Sequence, residues 1–258
     1  MAKLQSFYFT ITFMEKNTLI YGIHAVLETL KESKPIDQIL IKKQSDNELI
    51  REIIYLARKQ GVTVKSVPYE KIQRITQKNH QGVIAFVSSV EFQDIHDIIP
   101  TIFEQGQTPL IVILDTITDV RNFGAIVRSC ECMGVHAVVI PQKGAAQINA
   151  DALKTSAGAL QKIPICKTKS LVHACKFMQD SGIQLLAASE KYTKKCFEAD
   201  CTKPTALVMG SEEDGITAPI LELCDEHIGI PMNGTVASLN VSVATGICLY
   251  EIVRQRLQ

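Results

Sequence analysis

Several features that would mark a common class of protein are missing from this sequence. Within its 258 residues no apolar run approaches the roughly 20 residues of a membrane-spanning helix. The apolar patch near the N-terminus is broken by threonine and lacks a small-residue cleavage site, so no secretory signal peptide is expected. An excess of one charge is missing too, because 27 Lys and Arg balance 27 Asp and Glu. Composition alone therefore indicates neither a membrane nor a nucleic-acid partner.

Glycine and cysteine fingerprints are also absent. No G-x-G-x-x-G follows a predicted strand, which disfavours a nicotinamide-dependent reductase. Gly210 and Gly215 have the spacing of a phosphate-binding loop, but Ile216-Thr217 stand where that loop requires Lys-Ser/Thr. The eight cysteines do not have zinc-binding spacings. We expect no metal site, and we interpret most cysteines as buried hydrophobes or free thiols of a protein in the reducing cytoplasm.

What the chain does contain is an alternation of strand-like and helix-like segments, which predicts an α/β fold. Residues 18–92 read as a complete small α/β domain with a net charge of +3, from 11 Lys and Arg against 8 Asp and Glu. Residues 93–107 carry three acidic residues and are expected to be a linker. Residues 108–258 predict a parallel sheet flanked by helices. Residues 1–17 are expected to be an N-terminal extension, in which residues 1–13 could add an edge strand.

The front domain has charge and histidines that are compatible with RNA binding. Its candidates for phosphate contacts are Lys42, Lys43, Arg74 and Lys78. Ordinary solvated surface explains this charge about as well. His24 and His80 each have two interpretations, an RNA contact or a hydrogen-bonded structural histidine, and we favour the second.

Polar and glycine residues gather where predicted strands of the second domain end. A buried strand over residues 110–115 leads into a polar loop that ends at Gly124 and then into a helix over residues 125–133. Residues 206–209 form another apolar run, which ends at Gly210 before an acidic loop. Further runs are residues 228–232 and a helix over residues 241–254. Because ligands of open α/β sheets bind outside the carboxyl ends of strands, these loops are the predicted site.

Two side chains in the first of these segments have chemistry that suggests a role. Asn122 precedes the predicted helix, and its simplest interpretation is that of an N-cap. Arg128 lies in an otherwise small and apolar helix, where a guanidinium requires a carboxylate or a phosphate. We expect the two side chains on the same side of the crevice between strand and helix.

Three stretches of the chain resemble the signature motifs of the SpoU/TrmH family of the SPOUT superfamily. The members of this family are S-adenosylmethionine-dependent RNA ribose 2′-O-methyltransferases. The three stretches read LDTITDVRNFGAIVRSCECMGVHAVVIP, LVMGSEEDGI…IGIPM and VASLNVSVATGICLYE. In the front domain YGIHAV and NHQGVIA resemble the ribosomal-protein-like substrate-binding domain of the subgroup that modifies large-subunit ribosomal RNA. The resemblance implies a parallel-sheet domain with a trefoil knot and a homodimer.

The resemblance also implies site residues. The expected catalytic set is Asn122, Arg128, Glu212, Ser238 and Asn240. The expected S-adenosylmethionine-binding set is Leu207, Gly210, Ile230, Met232, Leu239 and Asn240. Glu212 is expected to pair with Arg128 or with a group of the substrate. The implied substrate is a guanosine of 23S rRNA; the alternatives are a tRNA 2′-O-methyltransferase and a non-catalytic RNA-binding assembly factor.

The sequence departs from the family pattern at one place in the second motif. Glu213 and Asp214 stand where the family commonly has a glycine and often a lysine or arginine. Two extra carboxylates are unfavourable beside an RNA phosphate unless they point to solvent. This departure affects the expected contact between the loop and RNA.

Overall fold

The computed structural model describes residues 19–45, 47–88, 90–192, 194–235 and 238–257. These residues form two compact units, one of residues 19–88 with the short segment 148–150, the other of the remaining residues from 90 onward. The extension expected over residues 1–17 and the edge strand expected over residues 1–13 lie outside the described residues.

The first unit is a four-stranded sheet with three helices. Its elements are β1 (Leu19–Tyr21), α1 (Ile23–Lys31), β2 (Ile36–Lys42), α2 (Glu48–Lys59), β3 (Thr63–Val67), α3 (Tyr69–Ile75) and β4 (Val83–Val87). The strand order is β1-β4-β2-β3, with β4 antiparallel to both neighbours and β2 parallel to β3. The small α/β domain expected from the alternation is therefore present.

Helix α2 shows how the sequence builds this unit. Asn47 is its N-cap, and the Asn47 side chain accepts a hydrogen bond of 2.8 Å from the backbone N–H of Ile50. Ile50, Ile53 and Ala57 recur at helical spacing and are buried. They join apolar residues of α1 and the sheet in one core, so the amphipathic pattern fixes which face of α2 packs inward.

The second unit contains an eight-stranded sheet. Its strands are β5 (Phe92–Gln93), β6 (Leu110–Leu114), β7 (Ala137–Pro141), β8 (Ile165–Thr168), β9 (Gln184–Ala188), β10 (Lys194–Lys195), β11 (Thr205–Met209) and β12 (Glu226–Gly229). Its helices are α4 (Ile95–Glu104), α5 (Val120–Cys132), α6 (Ala150–Thr155), α7 (Leu171–Asp180), α8 (Ala218–Leu221) and α9 (Val241–Arg256). Short 3₁₀ turns lie at Ala159–Gln161 and Cys196–Glu198.

All strand pairs of this sheet are parallel, in the order β10-β12-β9-β11-β6-β7-β8-β5. Strands β6 and β11 are buried at every position, as expected for central strands of a parallel sheet. The parallel sheet predicted for this part of the chain is confirmed.

The segment over residues 93–107 is not the linker that the sequence predicted. Its helix α4 buries Ile95, Ile99 and Ile102 in the core of the second unit, and the preceding β5 pairs with β8. The three isoleucines follow helical spacing, so burial of this apolar face outweighs the acidic composition that suggested a solvated connection.

Helix α5 begins earlier than predicted. Asp119 is its N-cap, and the Asp119 carboxylate accepts a hydrogen bond of 2.7 Å from the backbone N–H of Asn122. The predicted N-cap role of Asn122 is therefore wrong. Gly124 lies inside the helix rather than at its start. The position requires glycine because a Cβ there would lie 2.7 Å from the Cβ of Thr155. Close packing of α5 against α6 accounts for a residue that propensity places in a loop.

The eight cysteines carry no disulfide, and six of them are buried. Burial raises the pKa of the Cys166 thiol to about 12 and that of Cys201 to about 11, so these thiols stay protonated at neutral pH. Cys132 is exposed. Among the described helices, none has both the length and the apolar character that a membrane crossing requires.

Candidate functional site

The candidate site lies at the carboxyl edge of the parallel sheet. The strand register puts Met209 of β11 beside Leu114 of β6 and Ala188 of β9, so three neighbouring strands end together. The residues that follow them begin loops at this edge. Asp115 is one of these, and its carboxylate accepts a hydrogen bond of 2.7 Å from the backbone N–H of Thr217. That bond ties the start of α8 to the end of β6.

Gly210 begins a tightly closed loop after β11. Ser211 and Gly215 exchange two backbone hydrogen bonds of 3.1 and 3.0 Å, which close the loop on itself. A Cβ on Gly210 would lie 2.1 Å from the carbonyl carbon of Gly215 and 2.2 Å from the nitrogen of Ile216. Only glycine allows this approach of backbone to backbone. The loop is thereby held in a fixed shape just where the strand ends.

Three predicted site residues meet through side-chain hydrogen bonds. Asn122 of α5 donates from Nδ2 to Oε1 of Glu212 over 3.1 Å. Asn240 donates from Nδ2 to the same Glu212 oxygen over 2.6 Å and to Oδ1 of Asn122 over 2.9 Å. The structure therefore joins the start of α5, the loop after β11 and the start of α9. Below, these three residues are called the amide–carboxylate cluster.

The backbone of α9 holds this cluster in place. Asn240 is the N-cap of α9, with Oδ1 accepting from the backbone N–H groups of Ser242 (3.0 Å) and Val243 (3.4 Å). The N–H of Val241 donates to Oε1 of Glu212 over 3.2 Å. Oε1 thus accepts three hydrogen bonds, and no donor within the described residues reaches Oε2. Asn240 caps the helix with its oxygen and reaches the cluster with its nitrogen.

Arg128 forms no hydrogen bond or ion pair with Asn122 or Glu212 within the described residues. Six positions along a helix of 3.6 residues per turn correspond to a rotation of about 600°, which leaves the two side chains roughly 120° apart. Arg128 is exposed, and within the described chain it makes no ion pair with Glu212 or with any other carboxylate. Glu212 bonds to two amides and a backbone N–H instead.

The other predicted residues occupy different places at the edge. Ser238 is exposed, while Leu239 and Ile230 are half-buried and Met232 is 40% exposed. Leu207 is fully buried inside β11, between Val112 and Leu186 of the neighbouring strands. The Leu207 side chain is therefore part of the core of the sheet, and its predicted contact with the cofactor stays a prediction.

The acidic departure in the second motif lies at the surface. Glu213 and Asp214 are exposed, and the Asp214 backbone N–H donates to Oγ of Ser211 over 3.0 Å. Their charge is therefore solvated, which is the arrangement that keeps two extra carboxylates tolerable beside a polyanion.

The sequence analysis did not identify Asp115 and Asp119, which hold the backbone around the site through hydrogen bonds. Both follow the buried strand β6 within a few positions, and each accepts a backbone N–H. An acidic residue directly after a strand or before a helix is a readable cap signal. In the described part of the chain no group of three or more His, Cys, Asp or Glu residues is placed to hold a metal ion.

The fold and site define an α/β protein whose polar cluster lies at the carboxyl edge of a parallel sheet. Residues 109–250 match the family model described as "SpoU rRNA Methylase family", and residues 19–93 match that of "RNA 2'-O ribose methyltransferase substrate binding". The first match covers more than half of the chain. This chain belongs to the SpoU rRNA methylase family.

Full-length relatives support the membership. The chain is 36% identical over 241 residues to the 23S rRNA (guanosine-2′-O-)-methyltransferase RlmB of Escherichia coli K12, covering 92% of this chain and 98% of the relative. It is 33% identical over 242 residues to the putative TrmH family tRNA/rRNA methyltransferase YacO of Bacillus subtilis, covering 94% and 97%.

Two solved structures share the fold. The SpoU methyltransferase AviRb from Streptomyces viridochromogenes, in complex with AdoMet, has a TM-score of 0.59 and 24% identity, covering 93% of this chain and 90% of that one. The A. aeolicus TrmH/SpoU tRNA modifying enzyme has a TM-score of 0.54 and 39% identity, covering 58% of this chain and 77% of that one.

Proposed function

We propose that this chain transfers a methyl group from S-adenosylmethionine to a ribose 2′-hydroxyl of RNA, with a guanosine of 23S rRNA as the substrate. The observation that carries the proposal is the amide–carboxylate cluster, assembled from the segments that resemble the three motifs of the family. The RlmB relatives, aligned over nearly their whole length, support the choice of substrate. An rRNA substrate also favours the cytoplasm as the place of action.

The residues at the sheet edge fit S-adenosylmethionine. Gly210 brings backbone to the strand end without a side chain, and the half-buried Ile230 and Leu239 offer apolar surface. Met232, which is partly exposed, extends that surface. These four residues would hold the cofactor, together with the backbone beside Asn240. The bound cofactor supplies an electrophilic methyl group on its sulfonium sulfur.

The chain's own contribution is to hold the 2′-hydroxyl in line with the methyl group. Glu212 keeps one oxygen engaged by three donors, which leaves Oε2 to accept a hydrogen bond from a substrate group. The amides of Asn122 and Asn240 fix that carboxylate, and such fixed positioning supplies several kcal/mol of catalysis. The hydroxyl proton would leave to water or to a substrate phosphate as the oxygen–methyl bond forms and the bond from the methyl carbon to the sulfonium sulfur breaks.

Arg128 has a separate part in this proposal. A guanidinium keeps its protons in proteins and is a poor base. Because Arg128 is exposed and has no carboxylate partner within the described residues, it is available to an RNA phosphate or to the developing alkoxide. If Arg128→Ala keeps near-normal turnover and loses only RNA affinity, its role is phosphate binding alone.

The homodimer and the knot implied by the family resemblance are further parts of the proposal. Helix α9 exposes Val243, Ile247 and Tyr250 at intervals of four and three residues, which gives it an apolar stripe along one side. Such a stripe suits burial against a second copy of the chain. The trefoil knot would involve the segment that follows β11.

A second candidate substrate is tRNA, because the tRNA modifying enzyme from A. aeolicus is 39% identical over the part of this chain that it covers. That coverage leaves out much of the chain, whereas the RlmB relatives include both units. A non-catalytic RNA-binding assembly factor is disfavoured, because Asn122, Arg128 and Asn240 are all retained.

The test is transfer of a labelled methyl group from S-adenosylmethionine to unmodified 23S rRNA and to bulk tRNA, assayed in parallel. We expect label in rRNA at a single alkali-resistant linkage, and we expect the Asn122→Ala variant to lose it. Label in tRNA alone would keep the chemistry and overturn the substrate. Cofactor binding without label in either would point to a precursor particle as substrate. Failure to bind S-adenosylmethionine would favour the non-catalytic factor.

A further inference from the structure

Four segments of the first unit converge at one edge of its sheet. The carboxyl ends of β1, β2 and β3 lie beside the loop that enters β4, because β4 is antiparallel to β1 and β2. Three backbone hydrogen bonds bring the segments together: Gly22 N–H to the Val83 carbonyl (3.0 Å), Lys42 N–H to the Gly82 carbonyl (2.8 Å) and Lys43 N–H to the Val67 carbonyl (2.8 Å).

Aromatic rings and ammonium groups lie close together at this edge. Nζ of Lys78 lies 5.1 Å from the ring centroid of Tyr21, and Nζ of Lys42 lies 5.5 Å from that of Tyr69. The rings of Tyr69 and His80 have centroids 5.1 Å apart at an angle of 46°. These five residues, Tyr21, Lys42, Tyr69, Lys78 and His80, are called the aromatic–basic edge. Its contacts are cation–π and ring–ring pairs rather than ion pairs.

His80 has a positioning role within the edge. Its ring is buried, with 4% of the residue exposed, and Nδ1 accepts a hydrogen bond of 3.0 Å from the backbone N–H of Gly82. That bond leaves the proton of the neutral ring on Nε2. The expectation of a hydrogen-bonded structural histidine therefore agrees with this geometry. A fixed ring against Tyr69 holds the tyrosine in one orientation while 39% of Tyr69 stays exposed.

The lysines of the edge lack acidic partners. Lys42 and Lys78 are exposed, and no described carboxylate lies within ion-pair distance of either. Elsewhere in the same unit Lys31 pairs with Glu52 and Lys34 pairs with Glu32. Unpaired ammonium groups next to the exposed ring of Tyr69 and the half-buried ring of Tyr21 match the needs of a nucleotide, since phosphate requires cations and a base requires a flat apolar surface.

We infer that the aromatic–basic edge binds unpaired nucleotides of the RNA substrate, with bases stacked on Tyr69 and Tyr21 and phosphates against Lys42 and Lys78. The inference rests on the proposed function and assigns the substrate contact of the first unit to this edge. Unpaired RNA is the occupant because base pairing hides the ring faces that stack on side chains. A duplex would use the lysines and leave the tyrosines without a role.

The first arm of the test compares tyrosine variants. The probes are a labelled stem–loop of unmodified 23S rRNA and the same strand annealed to its complement. We expect Tyr69→Leu and Tyr21→Leu to weaken stem–loop binding about fivefold or more, the low end for loss of one stacked base. Tyr69→Phe keeps the ring and should stay within about twofold. Tyr55, which is 66% exposed on α2, provides the matched control Tyr55→Leu, which should bind like the wild type.

The second arm examines charge and catalysis. Replacing both lysines, Lys42→Gln with Lys78→Gln, should reduce the slope of log affinity against log salt by about 1.4, because each phosphate contact on a single strand contributes about 0.7. Lys59→Gln, on the exposed end of α2, is the control. For the leucine and glutamine variants of the edge, KM should rise for RNA, while kcat and the KM for S-adenosylmethionine stay within about twofold.

The outcomes separate this inference from the proposed function. Equal binding by Tyr69→Leu and Tyr55→Leu, or preference of the wild type for the duplex, would overturn the edge as the RNA contact. A defect in Tyr69→Phe as large as that in Tyr69→Leu would assign the loss to the hydroxyl and overturn stacking. If the wild type methylates no RNA and binds neither probe, the proposed function fails, and this inference fails with it.

Discussion

At the scale of single residues, Asn240 combines two tasks that belong to different atoms. Its Oδ1 caps α9, and its Nδ2 reaches Asn122 and Glu212. A residue that only capped α9 would contribute to stability alone, and one that only bonded to Asn122 and Glu212 would contribute to the site alone. Substitution can therefore separate the two.

Asn240→Ser should preserve the helix cap and lose the side-chain hydrogen bonds to Asn122 and Glu212. We expect Asn240→Ala to lower the free energy of unfolding by about 1 kcal/mol, and Asn240→Ser to stay within about 0.5 kcal/mol of the wild type, because serine is a good N-cap. Both lack Nδ2 and should lose at least about tenfold in kcat, since the cluster positions the substrate. Urea unfolding and initial rates of methyl transfer measure the two effects. Wild-type turnover in Asn240→Ser would contradict a role for the cluster.

Gly210 and Gly234 offer a matched pair of glycine substitutions. In Gly210→Ala the new Cβ meets the backbone of Gly215 and Ile216, which cannot move without opening the loop that carries Glu212. We expect a stability loss of about 1–3 kcal/mol and a fall in kcat/KM of about tenfold or more. A Cβ added at Gly234 would meet nothing within 4 Å, so Gly234→Ala should match the wild type in both assays. Similar behaviour of the two variants would exclude the backbone contact as the reason for Gly210.

At the scale of elements, the end of α9 is held by one guanidinium. Arg256 donates to the backbone carbonyls of Thr108 (3.0 Å), Pro109 (3.0 Å), Cys201 (3.0 Å) and Lys203 (2.7 Å). Burial lowers the pKa of Arg256 from its ordinary value, which is the cost of placing the charge among these carbonyls. The side chain thereby joins α9 to the segments that precede β6 and β11.

Removing this guanidinium should destabilise the second unit. We expect Arg256→Met to lower the free energy of unfolding by about 3 kcal/mol or more, because several half-buried carbonyls lose a charged donor at once. Arg254 is the control: it donates two hydrogen bonds to the half-buried carboxylate of Glu251 three residues earlier, and Arg254→Met should cost about 1 kcal/mol or less. Denaturant unfolding of both variants measures the two losses of stability. Equal losses would show that the carbonyl contacts of Arg256 contribute nothing specific.

The elements also show what the sequence could and could not predict. Strands, their parallel arrangement and the polar strand ends follow from apolar runs and loop composition, which are local properties. The start of α5 escapes prediction because Gly124 reads as a loop residue, and only its contact with Thr155 explains a glycine inside the helix. The role of Arg256 depends on carbonyls more than 50 positions away, and no local pattern reports it.

The site is partly predictable for the same reason. Asn122, Glu212 and Asn240 each follow a strand or begin a helix, so the carboxyl-edge rule brings them together. The position of Arg128 relative to Asn122 is harder to predict, because it needs the helical phase and the correct start of α5. Leu207 belongs to the same motif as Gly210, but its position inside a central strand encloses it.

At the scale of the whole molecule, the exposed stripe of α9 predicts self-association. Ile247 lies in the middle of this stripe, between Val243 and Tyr250. We expect Ile247→Asp to weaken the proposed dimer at least about 30-fold, since a central interface residue contributes about 2 kcal/mol or more. Sedimentation velocity over a concentration series measures the shift.

The control for this variant is Tyr55→Asp, which places a carboxylate on an exposed apolar residue of the first unit. It should sediment like the wild type. A wild-type chain that stays monomeric at tens of micromolar, or an Ile247→Asp dimer of unchanged affinity, would contradict self-association through α9.

The hydrogen bonds from Arg256 to four backbone carbonyls have a consequence for biosynthesis. Thr108 and Pro109 leave the ribosome almost 150 residues before the guanidinium that binds them, as the separations of 148 and 147 positions show. Asn240 likewise follows Asn122 by 118 positions. The first unit needs no such late partner within its sheet, so it can fold while the rest is translated. The second unit reaches its final hydrogen bonding only once α9 has been made, and its nascent strands β6 and β11 are the part that a ribosome-bound chaperone would need to protect.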